Sequence, residues 1–129
     1  TAKEVLKKYP EVKGILGTSS FDAPGTARAI DELGLKGKVF TAGTGMPAAN
    51  AQILKDGSVS TLTLWDPANA GYAMASLATK ILNGETIEDG VNLGVEGYES
   101  MHFSSGSTKV LEGTGWLKIT KDNVDSLGF

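Results

Sequence analysis

The spacing of hydrophobic and polar residues over the first 84 positions alternates between short apolar runs and longer segments with helical periodicity. The short runs predict strands at 12–16, 38–42 and 59–64. The longer segments predict helices at 2–9, 23–33, 47–55 and 68–82. Strands that alternate with helices form βαβ units, so we predict an α/β fold in which a parallel sheet is flanked by helices.

The second predicted helix carries clear signals for both of its ends. Asp22 stands just before it and Pro24 lies in its first turn, so we predict that the Asp22 side chain caps the helix. Ala27, Ile30 and Leu33 recur at helical spacing and are predicted to face the core. Gly34 follows the last apolar position, where a helix commonly ends.

The regular alternation ends after Gly84. Residues 85–106 have no clear period, whereas 109–112 and 116–119 are compatible with two short strands and 122–127 with a helical turn. We therefore predict an irregular C-terminal tail, which either wraps over the α/β part or packs on a partner.

Composition narrows the classes of function. The 129 residues are enough for one domain or one lobe, and the net charge of −3 argues against a nucleic-acid partner, which would require a basic face. The absence of cysteine excludes disulfides, zinc–cysteine sites, iron–sulfur clusters and cysteine nucleophiles. No apolar run approaches the roughly 18 residues of a membrane span, so membrane insertion is not expected. The chain begins without Met or a signal segment, which suggests a mature or truncated product.

His102 is the single histidine, and any histidine-based metal site or Ser–His–Asp arrangement must include it. No potential metal ligands stand near it at the required spacing, so an ordinary surface or packed histidine is expected. We predict no metal, no cofactor and no catalytic residues.

Candidate binding residues follow the predicted strands. Ligands of open parallel sheets bind beyond the carboxyl ends of the strands, where this chain has small hydroxyl residues, a glycine turn, an indole and a carboxylate. The candidates are Thr18, Ser19 and Ser20 after the first strand, Gly43 and Thr44 after the second, and Trp65 and Asp66 after the third. This set suits a neutral polyol, because its C–H face can lie on an indole while its hydroxyl groups form hydrogen bonds.

Each of these features also has a purely structural explanation. The hydroxyl residues can satisfy N–H groups at a helix start, and the turn at 43–45 matches neither the P-loop nor the full dinucleotide motif. Trp65 can belong to the core, and Asp66 before Pro67 can be a helix cap.

Three segments carry a resemblance to a known family. Residues 9–16 (YPEVKGIL), the run 62–67 (LTLWDP) and the C-terminus 119–129 (ITKDNVDSLGF) occur in the order found in sugar-type periplasmic binding proteins of bacterial ABC importers. The second and third of these segments resemble one subgroup, which binds autoinducer-2 and rhamnose-like solutes. At Thr18 and Ser20 the autoinducer-2 binders have proline and alanine, so the resemblance favours a more hydroxylated ligand here.

The resemblance implies two α/β lobes that clamp a sugar-like ligand and then dock on a membrane permease. Residues 1–64 would be part of the second lobe, and 65–129 a crossing segment, a helix and a tail that pack on an absent first lobe and return. The missing N-terminal lobe, or a swapped copy of the chain, would cover the apolar residues of the long helix. The location would be periplasmic or extracellular, with a cell-surface lipoprotein as one form.

Two other classes of function remain open on the sequence alone. A small stand-alone α/β enzyme or nucleotide-binding domain would require a phosphate loop or a catalytic pair, and neither is visible. The effector lobe of a sugar-responsive repressor shares the implied fold and would adjoin DNA-binding helices.

Overall fold

The secondary structure of this chain, described over residues 1–129 by a computed structural model, consists of four α-helices, six strands and one 3₁₀ turn. The helices are α1 (Ala2–Lys8), α2 (Asp22–Glu32), α3 (Pro47–Lys55) and α4 (Pro67–Leu82). The strands are β1 (Gly14–Leu16), β2 (Phe40–Thr44), β3 (Thr61–Trp65), β4 (His102–Phe103), β5 (Leu111–Glu112) and β6 (Trp116–Ile119). The 3₁₀ turn is Val124–Ser126.

The chain divides into two structural units. The first contains Thr1–Leu64 together with Lys118–Phe129, and the second contains Trp65–Leu117. The chain leaves the first unit at the end of β3 and re-enters it within β6.

The sheet of the first unit confirms the predicted α/β fold. Its strand order is β1-β2-β3-β6, and β1 pairs with β2, and β2 with β3, in parallel. The Thr61 hydroxyl donates to the Ile119 carbonyl at 3.0 Å, and Trp65 contacts Trp116, so β6 runs antiparallel to β3. The sheet is therefore mixed, with three parallel strands and one antiparallel strand.

The core of the first unit lies between this sheet and its helices. Leu62 of β3 and Ile119 of β6 are fully buried, and Ile30 of α2 is nearly so. Ala27 is also buried, so the predicted core face of the second helix is confirmed for Ala27 and Ile30. Leu33, the third predicted position, is the C-cap residue and is only partly buried against the core. Burying a leucine or isoleucine side chain contributes roughly 1.5–3 kcal/mol, so Leu62, Ile119 and Ile30 are main contributors to the stability of the first unit.

Asp22 does not cap α2, and that prediction is wrong. The N-cap residue is Phe21, which makes no side-chain capping bond, and Asp22 is the first residue of the helix. Its carboxylate turns back and accepts hydrogen bonds from the backbone N–H groups of Thr18 and Ser19, at 3.0 and 2.9 Å. The Asp22 carboxylate therefore binds N–H groups of the loop after β1 instead of N–H groups of the helix.

A charge cluster on the surface of the first unit joins α1 to α2. The Glu32 carboxylate accepts from Lys3 Nζ at 2.6 Å and from Arg28 Nε at 2.8 Å. These two hydrogen bonds lower the pKa of Glu32 from 4.5 to about 2.

This lowered pKa predicts a specific acid sensitivity. A carboxyl group whose folded pKa is depressed stabilises the fold above its unfolded pKa, and that stabilisation disappears as the pH falls through the folded pKa. We therefore expect Glu32→Gln to lose less stability than the parent between pH 4.5 and 2, as measured by urea unfolding across this range. Glu11→Gln, at an exposed position outside the cluster, is the control, and equal pH profiles for parent and Glu32→Gln would contradict the prediction.

The second unit packs α4 against a small antiparallel hairpin. Its core consists of Ala73 of α4 with Leu93 and Met101, and β4 pairs with β5. The strands β5 and β6 lie within two segments predicted as strands, whereas β4 falls in the stretch where no period was found. A two-residue strand is too short to produce a visible alternation.

Helix α4 leaves most of its large apolar residues uncovered. Only Ala73 is buried, although the helix is rich in apolar side chains. The exposed ones are Tyr72, Met74, Ile81 and Leu82.

No helix in the chain is both long enough and apolar enough to cross a membrane.

Candidate functional site

The loop after β1 presents three hydroxyl side chains to solvent. Thr18, Ser19 and Ser20 are all exposed, and the Asp22 carboxylate fixes the loop through the N–H groups of Thr18 and Ser19. The Ser19 hydroxyl accepts from the N–H of Phe21 at 3.4 Å. Phe21 is the N-cap residue of α2, so Ser19 does satisfy an N–H group at the helix start, whereas no such bond is formed by the hydroxyl groups of Thr18 and Ser20.

Gly43 and Thr44 lie beside this loop, but as strand residues. The turn predicted at 43–45 is wrong, because β2 continues through Thr44. Gly43 permits a close approach of the two strand ends: a Cβ atom at this position would stand 2.7 Å from the Gly17 carbonyl oxygen. The carboxyl ends of β1 and β2 therefore meet backbone to backbone, with Thr18 and Thr44 at the same edge of the sheet.

Trp65 is the last residue of β3 and the first residue of the second unit. Along β3, Leu62 and Leu64 are buried while Thr63 and Trp65 are exposed, so the indole shares the polar face of the strand. Its side chain is 42% exposed, which is high for tryptophan. This exposure argues against the explanation that Trp65 serves only as a core residue.

Trp116 is a candidate residue that the sequence analysis missed. Its ring centroid lies 5.3 Å from that of Trp65, and the two ring planes are nearly perpendicular at 88°. Trp116 is also 58% exposed, so the pair forms an open aromatic corner. The sequence predicted that residue 116 lies in a strand, but Trp65 is 51 positions away along the chain. No local sequence pattern connects the two tryptophans.

The two indoles line a cleft of about 200 Å³ within the second unit. Its other lining residues are Tyr98, Met101, Leu111, Gly113 and Gly115. The Tyr98 ring lies so close to Gly115 that a Cβ atom there would be 2.7–2.8 Å from ring atoms and the hydroxyl oxygen. The cleft is lined by aromatic and apolar groups, and Tyr98 supplies one phenol hydroxyl. No charged side chain lines it.

Asp66 has a structural role in the same unit. It is the N-cap of α4, and its Oδ1 atom accepts from the N–H groups of Ala68 and Asn69, at 2.7 and 3.2 Å. The explanation as a helix cap, which the sequence left open, is therefore realised. Only one of its two carboxylate oxygens, Oδ1, is engaged in this way.

His102 is exposed and forms hydrogen bonds through both ring nitrogens. Nδ1 lies 2.9 Å from Asp89 Oδ2, and Nε2 lies 3.1 Å from the Ser100 hydroxyl. The hydrogen bond to His102, followed by one from the Phe103 N–H, lowers the pKa of Asp89. No group of three or more histidine, aspartate or glutamate side chains is arranged to bind a metal ion.

Comparison with known proteins agrees with the fold. Residues 1–86 match the family described as periplasmic binding protein domain. A sugar ABC transporter protein from Actinomyces odontolyticus is 28% identical, with a TM-score of 0.78 over 99% of this chain and 41% of its own. LsrB from Clostridium saccharobutylicum, in complex with AI-2, is 21% identical, with a TM-score of 0.72 over 99% of this chain and 43% of its own.

A solute binding protein from Clostridium phytofermentas with bound L-rhamnose is also similar, at 21% identity and a TM-score of 0.71 over 98% of this chain and 43% of its own. The chain thus spans about two fifths of the length of these structures. Proteins of this family bind solutes and are not enzymes. The resemblance predicted from the three sequence segments is confirmed: the chain belongs to the periplasmic binding protein family.

Proposed function

We propose that the chain is part of the substrate-binding component of a bacterial ABC importer and that this component binds a neutral sugar or sugar-like molecule between its two lobes. The observation that carries this proposal is the exposed, perpendicular pair Trp65 and Trp116 lining an uncharged cleft. An indole face at this place offers a surface for the C–H face of a pyranose or furanose ring.

The hydroxyl edge of the first unit supports the same ligand class. Thr18, Ser19, Ser20 and Thr44 supply groups that both donate and accept hydrogen bonds, which is the pairing that sugar hydroxyls require. Gly43 keeps the strand ends close together, and Asp66 is the proposed acceptor for vicinal hydroxyl groups. A phosphorylated or acidic sugar is disfavoured, because no arginine or lysine is among these residues.

The bound molecules of similar proteins are consistent with this class. Among them are L-rhamnose in the Clostridium phytofermentas protein and D-fucose in a protein from Agrobacterium vitis. Both are small, neutral and rich in hydroxyl groups.

The proposed mechanism is closure of two lobes on the ligand, followed by docking on a membrane permease. The remainder of a longer protein supplies the first lobe, and this lobe covers the exposed apolar residues of α4; a swapped copy of the chain is the alternative cover. The protein would function in the periplasm or outside the cell, and a lipoprotein anchored at the cell surface is one form that it could take.

A thermal-shift panel on the full-length protein tests the proposal. A ligand that binds only the folded state raises the melting temperature, by an amount that grows with its concentration relative to Kd. We expect at least one neutral mono- or disaccharide to raise the melting temperature, and the matching sugar phosphates and nucleotides to have no effect. A shift with nucleotides alone would favour the nucleotide-binding class instead.

A further inference from the structure

A second group of side chains lies on the solvent face of the second unit, apart from the aromatic cleft. Ser100 and His102 flank Met101 in an extended segment, and Met101 is 7% exposed and packs in the core. Because successive side chains of an extended chain point to opposite sides, burial of Met101 places Ser100 and His102 together on the outer face. Both of these residues are exposed.

The backbone of this segment is held by its neighbour. Gly90 and Met101 are joined by a hydrogen bond of 2.8 Å, and Met101 and Val91 by one of 3.0 Å. Gly90 adopts a φ of +83°, a left-handed conformation that favours glycine and closes the turn at Asp89. This turn places the Asp89 side chain beside His102.

The Asp89 carboxylate is fixed at both oxygens. Oδ1 accepts from the N–H of Phe103 at 2.7 Å, and Oδ2 lies 2.9 Å from His102 Nδ1. An ionised carboxylate only accepts hydrogen bonds, so Nδ1 must carry the proton of the neutral imidazole. Nε2 is then unprotonated and accepts from the Ser100 hydroxyl at 3.1 Å.

These contacts have the arrangement of an activated nucleophile: a hydroxyl within reach of a base, and the base oriented by a third group. We propose that Ser100 is a base-activated nucleophile and the site at which this chain is acylated by activated esters. His102 acts as the base, and Asp89 is a positioning residue that holds its tautomer. Such an arrangement is identified by geometry rather than by sequence order.

An aryl acetate is a suitable acyl donor for this step. Ser100 Oγ forms a bond to the acetyl carbon and the ester bond to the aryl oxygen breaks, while the hydroxyl proton passes to His102 Nε2 and from there to the leaving aryl oxygen. The products are O-acetylserine and the phenol, and nothing is oxidised or reduced. The proposal covers this single acylation and requires no turnover.

The expected rate advantage follows from the base. Positioned general bases accelerate proton transfer steps by about 10² to 10⁴-fold. His102 and Asp89 are 61% and 60% exposed, so competition from water favours the lower end of this range. We expect Ser100 to be acetylated about 100-fold faster than Ser105, which is exposed in the same unit.

The test is incubation of the full-length protein that contains this chain with 4-nitrophenyl acetate, followed by peptide mapping by mass spectrometry over a time course. The adduct should concentrate on Ser100, disappear in Ser100→Ala, and form at least tenfold more slowly in His102→Gln and Asp89→Asn. Ser105→Ala is the matched control and should leave the Ser100 rate unchanged.

Two results would overturn the proposal. One is acetylation of Ser100 no faster than that of Ser105 in the parent chain, a comparison that needs no variant. The other is an unchanged Ser100 rate in a folded His102→Gln chain, which would assign the three residues a purely structural role.

Discussion

Replacing Trp65 with alanine, in the full-length protein that contains this chain, should weaken binding of its sugar by about tenfold to a hundredfold. The indole is 42% exposed at the end of β3 and forms one wall of the aromatic cleft, so its removal takes away a stacking surface. Little core packing is lost with it, and the ligand-free melting temperature should change much less than the affinity does. Calorimetric titration paired with a ligand-free melt measures both quantities.

Tyr9→Ala is the matched control for this variant. Tyr9 is 44% exposed, nearly the same as Trp65, but it belongs to the first unit and is not among the residues that line the cleft. Its substitution should leave sugar affinity unchanged. If Trp65→Ala instead loses roughly 3–5 kcal/mol of stability while affinity per folded molecule holds, Trp65 is a packing residue and the assignment of the site is wrong.

The second large effect is expected at Gly43. Gly43→Ala would place a Cβ atom 2.7 Å from the Gly17 carbonyl oxygen, and this contact can be relieved only by moving the backbone of β1 or β2. Overpacking of this kind costs about 1–3 kcal/mol. We expect a corresponding loss in the free energy of unfolding, measured by urea titration, together with weaker sugar binding because Thr18 and Thr44 shift.

Gly14→Ala provides a control in the same pair of strands. A Cβ atom at Gly14 would lie 3.7 Å from the Phe40 carbonyl oxygen, an ordinary contact distance. Alanine there should be neutral or slightly stabilising, because glycine loses more conformational entropy on folding. Equal stability of the two variants would show that β1 and β2 do not approach each other as closely as described.

The fold was predictable because its strongest signals are local. Short apolar runs, proline and glycine at helix ends, and the alternation of strand and helix identified β1 to β3 and α1 to α4, and the fold class is confirmed. Family membership was also available from three short segments of sequence. Boundaries were less certain: β2 extends through Thr44, because Gly43 pairs closely with β1 instead of turning.

The features that sequence could not supply depend on distant partners. Asp22 has the sequence context of a helix cap, but the loop N–H groups of Thr18 and Ser19 take its carboxylate. Trp116 becomes a candidate only because β6 returns beside β3 and brings its ring 5.3 Å from Trp65. His102 gave no signal of its own, since the contact with Asp89 depends on the pairing of two extended segments.

The central claim is that this chain helps to bind a neutral sugar, and isothermal titration calorimetry of the full-length protein tests it most directly. The titrant is the neutral sugar that raises the melting temperature most, compared with its phosphorylated counterpart. The account predicts one site per molecule, a Kd in the micromolar range or tighter and no measurable binding of the phosphate. Absence of binding by any neutral sugar, or binding of the phosphorylated form with equal affinity, would contradict it.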